Sequence, residues 1–370
     1  GHQAGTVMAM AAMGDKEKYF NDFMVMLTRD MAAAAHKPHN QPRGANLGTD
    51  PKHPYLNKWR VIADENEQNK FDLAAGLQHA TEVFLDNLIK QILDQFPGHK
   101  NLCFAGGVSL NSVAMGKILD RFSNRVDKIY VTPTPHDGGL TLGAAQYVWH
   151  HVLDNPRIKW EDNYTPYLGF TYNRDQITAA LDKNTDKVKH HECSIDKVVD
   201  LLDEQNIVAV FGGGSESGRR ALGNRSILAD PRSPDMKDKI NFKVKHRQWF
   251  RPFAPSILRE HVPEWFTKDI DSPYMSFVVD FRDEVKEKVP AVVHLNGSAR
   301  LQTVTKSDNE KYYDLLSRWN EKSGVPILLN TSFNDREPIC ETPEHAINCY
   351  LKTEIDYLYF YDEEILVSRK

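Results

Sequence analysis

The chain has 370 residues, a formal net charge of −5, 41% hydrophobic and 26% charged residues, which is apolar chain enough for about two domains with separate cores. No apolar run approaches the ~18 residues that cross a bilayer, the first residues lack a basic stretch followed by an apolar one, and the negative balance argues against a general nucleic-acid coat, so no export, no membrane and no nucleic-acid partner are expected. Four cysteines (Cys103, Cys193, Cys340, Cys349) without CxxC spacing support neither a zinc ribbon nor a disulfide framework, and favour a reduced, cytoplasmic setting.

In chain order, DLAAGLQHATEVFLDNLIKQIL (residues 72–93) repeats apolar positions every three or four residues and predicts an amphipathic helix. NLCFAGGV predicts a strand, NSVAMGKILDRF a helix, KIYVTP a second strand and residues 140–150 a further helix, which together make an α/β alternation. Residues 155–172 are rich in proline, aromatics and charge without a period, which places a boundary there and gives domains over 1–158 and 167–370. The second domain opens with a helix at 194–205 and the strand IVAVF, and closes with a strand in VPILLNTSFN and a short helix from Pro343.

Two glycine turns end the first-domain strands. In GGVSLN, Gly106 and Gly107 let backbone N–H groups approach a phosphate or sugar at a helix N-terminus; a structural turn capped by Asn111 or Ser112 explains the same residues. In PTPHDGG, His136 and Asp137 before Gly138 and Gly139 suit a cation or a ribose, or a plain capped turn. Two such turns at consecutive strand ends favour a ligand crevice.

The stretch IVAVFGGGSESGRRALGNRSILADPR (207–232) carries four arginines, and residues 207–259 hold eleven Lys plus Arg against four Asp plus Glu. Guanidinium is a permanently charged planar fork that matches phosphate or carboxylate oxygens, so localised positive charge in a negative chain points to a pocket for a small anion. The phosphate-loop motif fails here, because Arg219 and Arg220 stand where Lys and a hydroxyl residue are required, and GGGSES also misses the dinucleotide pattern. Lys243, Arg247 and Arg251 fall four apart, on one side of any helix reaching them. Arg300 with Gln302, and Asn330, Thr331, Ser332 and Asn334 in NTSFN, add further polar groups; a solvated arginine face is the bland alternative.

GRRALGNRSILADPR, VKHRQWFRPFAPSIL, GSARLQTV and GVPILLNTSFN resemble the YrdC-like domain of the O-carbamoyltransferases that decorate nodulation factors and antibiotics, the NodU/CmcH type. FAGGVSLN, PTPHDGGLTLGAA and GTVMAMAAMG resemble that family's TsaD-like domain, of the actin/Hsp70-like ATPase class. The resemblance implies a partial TsaD-like domain followed by a twisted-sheet α/β YrdC-like domain. It implies that carbamoyl phosphate and ATP form carbamoyladenylate in the second domain, and that the carbamoyl group then passes to a small-molecule hydroxyl in the first. By motif position it assigns Arg220, Lys245, Arg251 and Arg300 to the charged substrates, with Asn330 and Ser332 orienting carbamoyl or phosphate oxygens. Gly106, Gly107, Asn111, Gly138 and Gly139 would hold the nucleotide of the first domain, and Asp137 a divalent metal (Fe, Mn or Mg).

Two departures stand out. Arg219 replaces the family's proline, and the family's metal-binding HxxxH pair is missing: His36 and His39 have another spacing, while His150/His151 and His190/His191 are adjacent pairs. The transfer site is therefore expected to be incomplete in this chain, finished by an N-terminal segment or partner chain, or lost. A different adenylate-forming reaction on a small carboxylate, and a non-catalytic nucleotide-binding subunit, remain the competing readings.

Overall fold

The computed structural model describes residues 4–30, 54–157 and 165–370. The chain divides into two compact units, one of Gly1–Leu102 and Lys117–Lys128, the other of Cys103–Gly116 and Ile129–Lys370. The segment 155–172, where the boundary is expected, lies partly outside the described residues. Among the described residues no helix is long and apolar enough to cross a membrane.

The first unit is built on helices α1 (Ala4–Ala11), α2 (Phe20–Val25), α3 (Pro54–Glu65) and the long α4 (Glu67–Gln95). The predicted helix lies inside α4, which starts earlier because the Asn66 side chain accepts from Asn69 N at 2.8 Å and caps it. Ala74, Ala75, Ala80, Ile89 and Leu93 are buried along α4, and the buried Glu82 carboxylate is held by Lys117 and Arg121, each at 2.8 Å. Strands β1 (Asn101–Phe104) and β2 (Lys128–Val131) pair with each other, and helices α5 (Ser112–Arg121) and α6 (Gly139–Tyr147) follow them in turn.

The second unit contains a mixed sheet of nine strands in the order β3-β11-β10-β4-β5-β9-β6-β8-β7. In chain order these are β3 (Val188–Glu192), β4 (Val208–Phe211), β5 (Arg225–Ala229), β6 (Ala254–Leu258), β7 (Phe277–Asp280), β8 (Ser298–Val304), β9 (Ile327–Ser332), β10 (Tyr357–Phe360) and β11 (Ile365–Arg369). Helices α7 (Arg174–Asp182), α8 (Ile195–Asp203), α9 (Met236–Lys243), α10 (Val262–Trp265), α11 (Glu310–Ser323) and α12 (Pro343–Lys352) complete the unit, an α/β architecture as expected.

The pairing register (Ser226 opposite Ser332, Ala254 opposite Asn330, Ser256 opposite Gln302) puts Ser226, Ser332, Asn330, Ser256, Gln302 and Arg300 on one face of the central strands. Toward the other end of that face Leu228, Leu328, Leu258 and Val304 pack with Leu201 and Leu202 of α8 and Leu315, Leu316 and Trp319 of α11. One sheet surface thus has an apolar end that supports the helices and a polar end that faces the loop between β4 and β5.

Candidate anion-binding site

The loop between β4 and β5 is fixed from three directions. After β4, Gly213 takes φ +51° and donates its N–H to the Asp362 carboxylate, while a side chain at Gly214 would meet Tyr167 O at 2.8 Å. Close packing therefore requires this glycine turn, and a carboxylate already occupies its amide, consistent with the failed phosphate-loop match. Next, one Glu216 oxygen accepts from the N–H groups of Leu222 (2.7 Å), Asn224 (2.9 Å) and Arg225 (3.3 Å). From the sheet, Asn330 Nδ2 donates to Ala221 O (3.2 Å) and Gln302 Nε2 to Leu222 O (2.9 Å), and the Tyr361 hydroxyl donates to Gly223 O (2.7 Å). Arg219 and Arg220 ride on this clamped segment.

The four arginines of the stretch have different fates. Arg225 is fully buried, stacked 3.6 Å over the Phe211 ring, and donates to Gly212 O at 2.6 Å. Arg232 pairs with Asp203 (2.6 Å) and Asp230 (2.7 Å). Arg219 is exposed, and Arg220, partly buried, is the one that enters a cluster. The expected grouping of Lys243 with Arg247 and Arg251 is corrected: α9 ends at Lys243, whose ammonium pairs on the surface with Glu354 at 3.0 Å. Arg247 and Arg251 lie beyond the helix and join Arg220 by loop geometry.

Arg220, Arg247, Arg251 and Arg300 form one electrostatic group. Burial, then Arg219 and Arg251, push Arg220 down to about 10; burial and Arg251 push Arg247 down to about 9. Burial, then Arg220, Arg247 and Arg251, lower Arg300 strongly, and burial lowers Arg251. Arg247 is anchored by Asn241 Oδ1 at 2.7 Å and lies 4.5 Å over the Phe253 ring. Among the described residues none of the four pairs with a carboxylate. Unneutralised guanidinium groups that depress one another make a strong site for an oxyanion, whose charge would relieve the repulsion and accept charge-assisted hydrogen bonds.

Lys245 and Ser332 are brought together beside this group. The buried Lys245 ammonium reaches Ser332 Oγ (3.2 Å), Asn334 O (2.7 Å) and Asn334 Oδ1 (2.8 Å), as well as Ser332 O. Burial and Arg247 push it down to about 7. Asn330 is 1% exposed, and its amide nitrogen is shared between Ala221 O, Ser256 Oγ (3.1 Å) and Gln302 Oε1 (2.8 Å). In this arrangement Lys245 and Asn330 hold the loops that shape the site.

The two glycine turns of the sequence also meet. Gly106, at φ +97°, donates its N–H to Pro135 O at 2.5 Å, and nothing lies within 4 Å of a side chain built on Gly106 or Gly107, so this backbone is open to close approach. A side chain built on Gly138 would instead meet the His136 ring, and one on Gly139 would run into Thr134 O, so this turn is closed by its own residues. Asn111 Oδ1 accepts from Ala114 N at 3.2 Å as the cap of α5. The Pro133–Gly139 turn abuts the arginine loop: a side chain on Gly218 would meet Pro133 O at 2.2 Å, and burial with Arg219 and Arg220 lowers the His136 imidazole. Asp137 is exposed, and among the described residues no group of three His, Cys, Asp or Glu is placed to hold a metal ion. These residues do not fit a divalent cation by themselves, since one carboxylate supplies too few oxygens; His36 and His39 lie outside the described residues.

Glu216 and His294 were not legible as site residues. A lone glutamate in a glycine-rich run and a histidine in VVHLNG carry no spacing signal, and their importance comes from what the fold places around them.

Comparison with known proteins gives two successive family matches: Carbamoyltransferase N-terminus over residues 2–146 and Carbamoyltransferase C-terminus over residues 199–369. The chain is similar to nodulation protein NolO of Bradyrhizobium diazoefficiens, 38% identical over 360 residues, which is 95% of this chain and 63% of that protein. It is similar to an uncharacterised protein of Synechocystis, 38% identical over 79% of this chain and 51% of that one. Nodulation protein U of Sinorhizobium fredii is 37% identical over 64% of this chain and 40% of its own length. The chain spans about half the length of these curated relatives. Among solved structures, full-length HypF in the phosphate- and nucleotide-bound form aligns with 50% of this chain and 22% of its own at 17% identity and TM-score 0.32, too loose a likeness to define a fold.

Proposed function

Because the chain belongs to the carbamoyltransferase family, we propose that it takes part in ATP-dependent O-carbamoyl transfer, with residues 167–370 as the activating domain. Carbamoyl phosphate loses phosphate to water; a carbamate oxygen then attacks the α-phosphorus of ATP, and the bond to pyrophosphate breaks. Carbamoyladenylate, phosphate and pyrophosphate are the products, and the carbamoyl group passes on to a hydroxyl of a small natural product. ATP as a substrate and four free cysteines suit a cytoplasmic setting.

The observation that carries this reading is the group of four guanidiniums that have no carboxylate partner among the described residues. Two polyanionic substrates need that many fixed donors, and donors held in place before reaction are most effective where charge builds up. Arg220, Arg251 and Arg300 would contact the phosphate and carbamoyl oxygens directly. Lys245, Ser332 and Asn330 would keep the surrounding loops in register as well as orienting substrate oxygens. Gly106 and Gly107 offer an open backbone to the nucleotide of the transfer step, with Asn111, Gly138 and Gly139 shaping its turns.

Exchange of labelled pyrophosphate into ATP tests the reading. Exchange that depends on carbamoyl phosphate, or on carbamate in bicarbonate–ammonia solution, supports it. Dependence on a different carboxylate would transfer the site to another adenylate-forming reaction, and no exchange under any of these conditions would leave a nucleotide-binding subunit.

A further inference from the structure

An arginine cluster grips oxyanions without discriminating among them: guanidinium and ammonium groups donate hydrogen bonds and accept none. Inorganic phosphate, acetyl phosphate and carbamoyl phosphate offer it the same phosphate oxygens. What marks the carbamoyl group is its amine, which needs an acceptor.

The turn before β8 supplies one. His294 N donates to Ser298 O and Gly297 N donates to His294 O, each at 2.8 Å, with Gly297 at φ +82°. This folds His294 back onto the first residue of β8. The Ser298 hydroxyl has one proton and gives it to Asn296 Oδ1 at 2.7 Å. Its contact of 3.4 Å with His294 Nδ1 therefore has Nδ1–H as donor, which leaves Nε2 with its lone pair. That Nε2 is buried and has no hydrogen-bond partner among the described residues. Ser298 and Arg300 are two residues apart on β8 and share a face, so the imidazole sits on the arginine side of the strand.

We infer that His294 is a specificity residue of the site, its Nε2 accepting an N–H of the carbamoyl group and so separating carbamoyl phosphate from acyl phosphates that lack an amine. The inference rests on the carbamoyl phosphate reading above. Burial, then Arg300 and Lys237, hold the imidazole down to about 3, so it stays a neutral acceptor at any working pH. Arg300, one of the cations that attract the phosphate, thus helps burial keep the amine sensor uncharged.

Calorimetric titration of the full chain with inorganic phosphate, acetyl phosphate and carbamoyl phosphate tests this, using wild type, His294→Ala and His294→Gln. Wild type should prefer carbamoyl over acetyl phosphate by roughly tenfold. His294→Ala should bring that ratio close to one and leave inorganic phosphate unchanged; His294→Gln, which keeps an acceptor, should recover part of the preference. A preference that survives in His294→Ala overturns the role of His294 alone. Equal weakening of all three anions makes the residue a mere support for the β8 turn and also overturns it. A wild type with no preference overturns the substrate reading itself.

Discussion

Burial and then neighbouring guanidiniums, Arg251 among them each time, lower Arg220, Arg247 and Arg300, and no carboxylate among the described residues pairs with them, so deleting one should act in opposite directions on the empty and the filled protein. Arg300→Met is expected to raise the thermal midpoint of the ligand-free chain, a site trading stability for binding, while weakening carbamoyl phosphate about tenfold or more through loss of a charge-assisted contact of roughly 1.5–3 kcal/mol. Arg220→Ala should weaken it likewise. Scanning calorimetry and titration of the folded variants check both halves; unchanged affinity in both variants would return the cluster to a solvated face. Lys245 yields a pH prediction. Its folded value near 7 lies below the ordinary 10.5, so between these the unfolded chain binds more protons than the native one and stability rises with pH across that window. Lys245→Met should flatten the rise, read as the urea midpoint from neutral to pH 10. Charge density in the sequence pointed to Arg220 and Arg251, and GSARLQTV added Arg300; the structure groups these three with Arg247. Charge density could not separate them from Arg225, Arg232 and Lys243, because what engages these three (Phe211 and Gly212 O, Asp203, and Glu354) is remote from them in the chain.

At the scale of elements, the β4–β5 loop owes its shape to side chains more than to its own backbone. Glu216→Ala removes the acceptor of three buried N–H groups, and should lower stability by roughly 2–3 kcal/mol. It should also weaken anion binding by misplacing Arg220, whereas Glu216→Gln should retain most of the clamp. Denaturant melts and phosphate titrations on the two variants check this; equal effects of both substitutions would mean that the carboxylate acts through charge alone. Strands with continuous apolar runs were legible: IVAVF contains β4, and VPILLNTSFN contains β9. Strand β5 was not, because RSILA sits inside an arginine-rich stretch that reads as a site loop, although all five residues are buried. Strand β3 has one buried residue, Val188, and so lacks the alternation that marks a half-buried strand.

For the whole molecule, the proposed reading puts activation in residues 167–370, whereas Asp137 alone supplies too few oxygens to fix a metal for the transfer step, so this chain by itself is predicted to activate carbamoyl phosphate without delivering it. Incubated with both substrates, Mg, Mn or Fe and a panel of sugar and aminoglycoside acceptors, it should release AMP without carbamoylated product by mass spectrometry. Efficient carbamoylation by the chain alone would overturn this expectation. The acceptor hydroxyl must be held beside the carbamoyl carbon, and that geometry leaves no trace in any motif read from this sequence.

The strand order has a consequence for biosynthesis. Strand β4 lies between β5 and β10, and the residue preceding it, Ile207, is hydrogen-bonded to Asp356, 149 positions later. At ribosomal rates of about 5–20 residues per second, that interval lasts roughly 7–30 s. During it Val208, Ala209, Val210 and Phe211 have their β10 edge open, a strip with every side chain apolar. Such long-range pairing is slow to form. Co-expressing chaperones that shield apolar strand edges is therefore expected to raise the protein's yield in a foreign host more than stabilising the final fold would.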